Sequence, residues 1–577
     1  METLSIVFSR EKTKAAVILV IFAILAYSPI IFLDQSYHQL SVIPISEADG
    51  KNVLFPTTSD LYGIFQATKP ELKFAIDSIS HGEFPFWNPY VGVGQPLAAD
   101  TTQNLFSPIA PSYFLPVEFW DVVILLTIWL AGFFTFLFLR SLGLKFESAI
   151  MGSIIYMFSG AFSWYAHSPH LSVILFTPLI LFSIEKIIQN KNPKFIVLGA
   201  VSLACGILGE HLETIILQLM LIISYFIFRV LSIYRNSRIN SDQLTVTVSN
   251  YNLKRIISWS LVAFICAIGL TAFFILPAYD FMQNNHLEHD CAVLTSIDLA
   301  CEPIGPNYYD PIILSSNFIP YILGQLHAYW LVVTPGFVGF WGYVGTLGLF
   351  FSILGLLTIS KKDNPHRFIP LFFIGISVFF ILKTVGTPLI NSIGYLPILN
   401  LVSFTGYLGA IIPIGFAVAA SFGVEYIGKF NVKKITIFKV FLITVTILFL
   451  LLIPIIPYLS DDADFPSHVN PSDARNYFVL QVLQSIIFVV LAFITYTFSA
   501  GKNFTKTALI SLVFLELSLY IPLGLHPIWI AYKAAIIIAA MVSITILSTS
   551  KRIQIVEVNQ KNIKLIILIL IFIFTFI

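Results

Sequence analysis

The sequence predicts an all-α, polytopic transmembrane protein with about 14 spans. Of its 577 residues, 57% are hydrophobic and only 11% are charged, and the mean hydropathy is +0.87. A soluble domain of this composition would expose large apolar patches. Several apolar runs also reach the roughly 20 residues needed to cross a bilayer, and in lipid such runs must be helices because every backbone group has to be hydrogen-bonded internally.

The apolar runs place the predicted spans one after another along the chain. They lie near residues 15–33, 119–139, 148–166, 169–185, 195–209, 213–230, 256–276, 334–358, 367–384, 404–427, 438–457, 476–498, 507–522 and 527–547. With the N-terminus in the cytoplasm, about 26 of the 32 Lys and Arg residues fall on the inner side, whereas the opposite orientation would leave about six there. The sequence therefore predicts a multi-pass protein of the cell membrane with a cytoplasmic N-terminus.

Both ends of the chain carry apolar runs that need a separate interpretation. The first span follows a basic stretch, but no small-residue cleavage site comes after it, so we expect an anchor rather than a secretory signal. The last run begins at Leu565 and stops at Ile577. Its length gives only about 20 Å of helix, which predicts either a longer native chain or a segment that ends within the membrane.

Two predicted outer loops stand out by their length, near residues 34–118 and 277–333. Loops this long are usually functional or disordered, and their aromatic residues among Pro and Gly favour ordered structure at the membrane surface. We therefore divide the chain into residues 1–360, which carry both loops, and residues 361–577, which add further transmembrane helices.

The first outer loop contains a short predicted helix. Apolar residues recur at helical spacing over residues 71–80, which is typical of an amphipathic helix at the membrane interface. His81-Gly82 follows as a helix stop, and residues 82–96 form a loop that several Pro residues make rigid. Such rigidity favours a pre-organised site.

Five short features of this loop form a recognisable signature. They are Asp60-Leu, the surface helix, Gly82-Glu-Phe-Pro-Phe-Trp-Asn-Pro89, Gly94-Gln-Pro96 and Phe106-Ser-Pro108. Together they resemble the bacterial YfhO family of membrane proteins, which is grouped with the C-type (GT-C) superfamily of membrane glycosyltransferases. The motif covers roughly 50 residues, and the layout of the outer loops extends the resemblance to about the first 360.

The resemblance implies a GT-C-like fold and an activity. A sugar would be transferred, with inversion, from a polyprenyl-phosphate-linked donor to an extracytoplasmic glycan, lipid or polymer acceptor. It also implies that the partners are these substrates and the membrane lipids, with no nucleic acid.

Asp60 matches the catalytic base that the resemblance implies. An ionised carboxylate near an acceptor hydroxyl can remove its proton as the glycosidic bond forms, a contribution of about 10² to 10⁴ in rate. The alternative is a helix N-cap, because Ser59-Asp60 is also a plausible capping pair. Both roles stay open, and one residue could fill both.

Nine further residues of the predicted outer side are candidates for substrate binding. They are Trp87, Asn88, Gln95, Asp100, His167, His170, Glu210, His211 and Glu213. A carboxylate and an imidazole at membrane depth are costly unless they face a polar cavity, which favours a site around Glu210. The pair His167 and His170 could bind a phosphate or face the lipid headgroups.

Two departures from the family pattern weaken the transfer of roles. The family often has Gly-His-Pro where this chain has Gly209-Glu-His-Leu-Glu213. It also often carries an Arg in the segment that corresponds to residues 396–407, where this chain has Ser403, Phe404 and Thr405. The second departure weakens an assignment of the lipid phosphate to that segment.

Other isolated polar residues have two interpretations each. Glu516 lies inside a late span, which indicates either a functional site or a hydrogen bond to a neighbouring helix. His286 and His289 have the spacing of a shared metal site, but such pairs in polar loops more often bind nothing. Cys291 and Cys301 could close a disulfide in an oxidising compartment. We predict no metal site; the cofactor stays unknown, and a divalent cation stays open.

A transporter or lipid flippase without transferase activity would also need many spans. Transporters tend to have two related halves and ionisable residues at the membrane midplane. In this chain most of the Asp and Glu residues gather in outer loops, and the two long loops have no counterparts in the second half. The sequence therefore favours a glycosyltransferase over a transporter.

Overall fold

The computed structural model of the chain describes most of the helical regions. The described residues are 10–28, 31, 69–91, 93–100, 104–116, 119–164, 169–189, 192–241, 253–284, 305–308, 310–320, 322, 324–325, 328–329, 342–361, 364, 366–407, 411–430, 432–459, 471–498 and 502–519. Several predicted residues lie outside this part: Asp60, His167, His286, His289, Cys291 and Cys301.

The described chain is helical, as the composition predicts. Its α-helices are α1 (Arg10–Ala26), α2 (Lys69–Ser80), α3 (Trp120–Ser141), α4 (Phe146–Met157), α5 (Gly160–Trp164), α6 (Pro169–Gln189), α7 (Lys194–Ile207), α8 (Leu212–Ser241), α9 (Leu253–Asn284), α10 (Gly345–Leu356), α11 (Ile369–Thr384), α12 (Pro388–Asn391), α13 (Phe404–Tyr407), α14 (Ile412–Lys429), α15 (Lys434–Leu452), α16 (Pro471–Phe498) and α17 (Lys502–Leu519). Short 3-10 helices cover Leu97–Ala99, Ala110–Phe114, Pro311–Asn317, Leu357–Ser360, Ser392–Tyr395, Leu399–Leu401 and Ile453–Leu459. Two-residue strands β1 (Gly324–Gln325) and β2 (Ala328–Tyr329) pair antiparallel.

Six of the described helical segments are long and apolar enough to cross a bilayer. They are Trp120–Ser141, His170–Gln189, Leu212–Arg235, Leu253–Phe281, Lys434–Pro457 and Phe478–Thr497. Helix α11 and the segment Pro388–Tyr395 meet at an angle of 90°. If these two segments form one broken span, the described residues contain a seventh candidate span. Helices α4, α7 and α10 lie at predicted span positions but are shorter, so the described residues account for six or seven spans.

Small residues allow the central helices to approach closely. Helix α14 is buried along most of its length, and its Gly423 packs on the backbone of α10. A Cβ added at Gly423 would clash with the carbonyl oxygen of Phe351, and one added at Gly355 would clash with that of Ala419. Helices in lipid associate through such close packing, because lipid tails give no hydrophobic drive. The bundle is therefore built around small residues on α10 and α14.

Polar contacts between elements join segments that the sequence predicts on the same side. On the predicted inner side, Arg140 pairs with Glu11 at 2.8 Å. On the predicted outer side, Leu105 donates its N–H to Glu210 at 2.8 Å, and Ser403 donates its N–H to Glu213 at 2.6 Å. We call these two regions the inner end and the outer end of the helix bundle.

Candidate functional site

The turn between α7 and α8 is the centre of the outer end. It contains Glu210 and His211, and Glu213 follows in the first turn of α8. Glu210 has a φ of +58°, a left-handed conformation that costs a non-glycine residue of order 1 kcal/mol or more. Strain of this kind persists only where the surrounding structure holds it. Here the surroundings are two segments of the predicted outer side.

Glu210 holds the first outer loop against the helices. Its side chain is only 1% exposed, and its carboxylate accepts the backbone N–H groups of Leu105, at 2.8 Å, and of Phe106. The pKa of Glu210 is raised to about 8, chiefly by burial and also by the nearby charge of Asp100. The backbone N–H groups act in the opposite direction and lower this pKa. Since both carboxylate oxygens are engaged, we interpret Glu210 as a positioning residue rather than a catalytic base.

Phe106 fixes the same loop to α9. Its ring lies 5.0 Å from that of Phe273 in an edge-on contact and 5.9 Å from that of Phe84 in a stacked one. Such aromatic pairs add to the apolar area that they bury. The Pro-rich part of the loop is therefore attached to the outer part of α9.

Two histidines and a tyrosine stack beside Glu210. The ring centroids of His170 and His211 are 3.7 Å apart, and Tyr407 lies 4.6 Å from His170 and 4.4 Å from His211. The backbone N–H of Thr214 donates to Nδ1 of His211 at 3.3 Å. In a neutral imidazole this leaves the proton on Nε2 of His211, which is then a hydrogen-bond donor.

Glu213 attaches a third segment to this turn. Its carboxylate accepts the N–H of Ser403 at 2.6 Å, which holds the segment that leads into α13 and Tyr407. Residues 104–106, the start of α6 and residues 403–407 thus meet around residues 210–213. These polar groups can hydrogen-bond to the hydroxyl or phosphate groups of a ligand.

The structure brings together five of the predicted site residues. Asp100, His170, Glu210, His211 and Glu213 gather at the outer end. The predicted catalytic Asp60 and the candidate His167 lie outside the described residues.

Trp87, Asn88 and Gln95 belong to a hairpin-like part of the first loop. Asn88 and Gln95 exchange backbone hydrogen bonds of 2.8 and 3.0 Å, and Nε2 of Gln95 donates to Glu71 of α2 at 2.7 Å. The Trp87 ring packs over Gly94, where φ is +99° and any side chain would clash. In this arrangement, Asn88 and Gln95 stabilise the loop.

Sequence reasoning missed Lys383, at the end of α11. Its side chain is 0% exposed, and its Nζ donates to Oδ1 of Asn391 at 2.7 Å and to the carbonyl oxygen of Asn307 at 3.4 Å. The same Nζ lies 4.8 Å from the centre of the Phe404 ring. A signal was present in the sequence, because Lys383 is a basic residue at the predicted outer end of a span, against the positive-inside rule.

Glu516 and the pair formed by Arg229 and Glu185 are further buried charges, and each has partners that explain it. Glu516 accepts the N–H groups of Thr346 at 2.7 Å and Leu347 at 3.0 Å. It therefore caps the N-terminus of α10, and the structure favours the hydrogen-bonding interpretation of this carboxylate. At the inner end, Arg229 binds Glu185 through two contacts of 2.5 and 3.0 Å.

The site cannot be interpreted by analogy with a matched protein. No family model, no curated protein and no solved structure matches this chain. Within the described part of the chain, no three His, Cys, Asp or Glu side chains are arranged to hold a metal ion.

Proposed function

We propose that this chain is a membrane glycosyltransferase of the GT-C type with about 14 spans. It transfers a sugar from a polyprenyl-phosphate donor to an acceptor on the extracytoplasmic side. The observation that supports this proposal is the convergence of five candidate residues at the outer end, against the loop segment that carries the family-like motif. The proposal also rests on the resemblance of residues 60–108 to the YfhO signature.

The proposed reaction is a single inverting displacement. A carboxylate takes the proton of an acceptor hydroxyl, and the hydroxyl oxygen attacks the anomeric carbon of the donor sugar. The bond from this carbon to the phosphate oxygen breaks on the opposite face, and the polyprenyl phosphate leaves with the electron pair. We assign the base to Asp60, and we assign contacts with sugar hydroxyl groups to Asp100 and His211.

The location of the polar cluster suits a lipid-linked donor. Polar side chains near the membrane are costly unless they face a polar cavity or one another. At the end of a helix bundle, the polyprenyl tail of a donor can stay in lipid while its sugar reaches the polar residues. Glu210 serves this site indirectly, because it holds residues 105 and 106 in place.

The proposal is tested by Asp60→Asn, assayed for transfer from a panel of polyprenyl-phosphate hexoses at equal membrane abundance. We expect turnover to fall by at least about 10², because an amide cannot accept the hydroxyl proton at neutral pH. Asn remains a good N-cap, so a purely capping role predicts little change.

Asp310→Asn is the matched control for capping. Asp310 accepts the N–H of Ile312 at 2.9 Å and caps the 3-10 helix Pro311–Asn317 in the second outer loop. This variant should keep wild-type transfer. Unchanged transfer by Asp60→Asn would remove Asp60 as the base and direct attention to Asp34, Asp100 and Glu213.

The competing function is a transporter or lipid flippase. It would be indicated if the wild-type protein transfers no sugar from any donor of the panel but moves a labelled lipid across a vesicle membrane. In that case the polar cluster would bind a headgroup without chemistry.

A further inference from the structure

Three Lys or Arg side chains are buried among the described residues: Arg229, Lys383 and Lys506. Two of them have a carboxylate beside them. Arg229 pairs with Glu185, and Lys506 lies 3.7 Å from a carboxylate oxygen of Glu147. For Lys383, the most deeply buried of the three, the described residues supply only neutral partners.

The surroundings of Lys383 form a thin cap built from two segments. Residues 305–308 of the second outer loop lie on residues 386–400, with the N–H of Gly305 donating to Asn400 at 2.9 Å. The Tyr308 ring packs over Gly386. Asn307, which supplies one of the two described acceptors of Lys383, and Tyr308 are both exposed.

The cap fixes the orientation of the groups around the ammonium. Nδ2 of Asn391 donates to the carbonyl oxygen of Pro306 at 2.9 Å, which leaves Oδ1 of Asn391 to accept from Lys383. The contact from Nζ to the Asn307 carbonyl is long, at 3.4 Å. The cap also holds Ile398 at a φ of +72°, a strained conformation for a β-branched residue.

Among the described residues, no carboxylate lies beside the Lys383 ammonium. A buried ammonium with only neutral partners is unfavourable, because neutral acceptors replace only part of its hydration. An anion in this position would supply the missing charge and a stronger, charge-assisted hydrogen bond. The long contact to Asn307 is the one that an anionic oxygen would replace at least cost. Tetrahedral phosphate oxygens suit an ammonium that has more than one donor to offer.

We propose that Lys383 is the cation of a phosphate-binding site at the outer end of α11, closed by residues 305–308 and 386–400. Its ligand is the phosphate of a lipid, either a polyprenyl phosphate or a phospholipid headgroup. The choice of a polyprenyl phosphate as ligand rests on the proposed function, but the site itself is tested separately, because it requires binding and no sugar transfer. It also gives this chain a phosphate contact outside residues 396–407, where the family's Arg is missing.

The test measures equilibrium binding of a polyprenyl monophosphate to purified full-length protein in detergent. We expect Lys383→Met to weaken binding about tenfold or more, because a hydrogen bond to a charged group is lost. Lys383→Arg keeps the charge and should stay within about threefold of the wild type. Lys506→Met is the matched control, since it removes another buried Lys, one that lies beside Glu147 on the predicted inner side, and it should leave the affinity unchanged.

The probes separate the possible sources of the phosphate. The uncharged polyprenol should bind the wild type about as weakly as the monophosphate binds Lys383→Met. Displacement of the monophosphate by an anionic phospholipid, but not by inorganic phosphate, supports the site and identifies a headgroup as a competing ligand. Displacement by inorganic phosphate supports the site and shows that the lipid tail is dispensable.

Three results would overturn the proposal. The first is equal affinity of the monophosphate for the wild type and Lys383→Met. The second is equal weakening by Lys383→Met and Lys506→Met, which would indicate damage to the fold. The third is equal binding of polyprenol and polyprenyl monophosphate to the wild type. None of these results depends on whether the protein transfers sugar.

Discussion

The inner and outer ends of the bundle stabilise buried charge in different ways. At the inner end, Arg229 and Glu185 neutralise each other directly, and the Tyr225 hydroxyl donates to the same carboxylate at 2.6 Å. At the outer end, Glu210 is held by backbone N–H groups, and Lys383 is held by neutral oxygens. The inner end therefore pairs opposite charges, whereas at the outer end charged side chains hydrogen-bond to loop segments and hold them in place.

This difference indicates where a ligand can act. A buried ion pair is complete, and removing one partner leaves an uncompensated charge. Charges that are held only by backbone groups of outer segments lack a counter-charge among those partners. A ligand of opposite charge can supply this counter-charge, and the loops can adjust to the ligand. The inner cluster is therefore expected to serve stability, and the outer charges are expected to serve binding.

The largest expected effect is on the inner pair. Arg229→Met should lower the free energy of unfolding in detergent by about 3–5 kcal/mol, because Glu185 keeps its buried charge without a partner. The double variant with Glu185→Leu should recover much of this loss, since no charge then remains. Denaturant unfolding monitored by circular dichroism measures both. If Arg229→Met were as stable as the wild type, Glu185 and Arg229 would not depend on each other for neutralisation of their buried charges.

A smaller effect concerns the pH dependence at Glu210. Its pKa is raised from 4.5 to about 8, so the folded protein holds more protons than the unfolded chain between these values. The stability contribution is complete below pH 4.5 and is lost as the pH rises through about 8. The Tm of the wild type minus the Tm of Glu210→Gln should therefore decrease as the pH rises from about 5 to about 9. A difference that rises with pH over this range would contradict the sign.

The smallest expected change in stability follows Lys383→Met. Lys383 has no opposite charge beside it in the described part of the chain. Its removal should therefore leave the free energy of unfolding within about 1 kcal/mol of the wild type, or raise it. The measurement is the same unfolding experiment that is used for Arg229→Met. A loss as large as that of Arg229→Met would remove the distinction between the two ends.

Local sequence features predicted several parts of the structure well. The amphipathic pattern at residues 71–80 corresponds to α2, which covers Lys69–Ser80, and Gly82 follows with the positive φ expected of a helix stop. The cost of polar groups near lipid marked Glu210 and His211 as candidates, and the two lie in one cluster with His170. The helix and its stop depend on residues that are close in sequence. The polar candidates depend on the free-energy cost of polar side chains near lipid, which follows from the residue types alone.

Other features depend on pairings that no local pattern encodes. Asn88 and Gln95 are typical ligand-binding residue types, yet they hydrogen-bond to each other through their backbones, and their side chains bond to the Tyr90 N–H and to Glu71. Glu516 was ambiguous in the sequence because its partners, Thr346 and Leu347, lie about 170 residues away along the chain. Periodicity and composition carry no information about such distant partners.

The sequence by itself determined that this chain is helical, apolar over most of its length and divided into segments with a consistent charge bias. The physical reason is that the cost of placing backbone and charged groups in lipid is set by composition and spacing alone. Only the tertiary structure decided which charges are paired and which are held by loops. That choice depends on helix packing, which brings Glu185 to Arg229 at one end and gives Lys383 neutral partners among the described residues at the other.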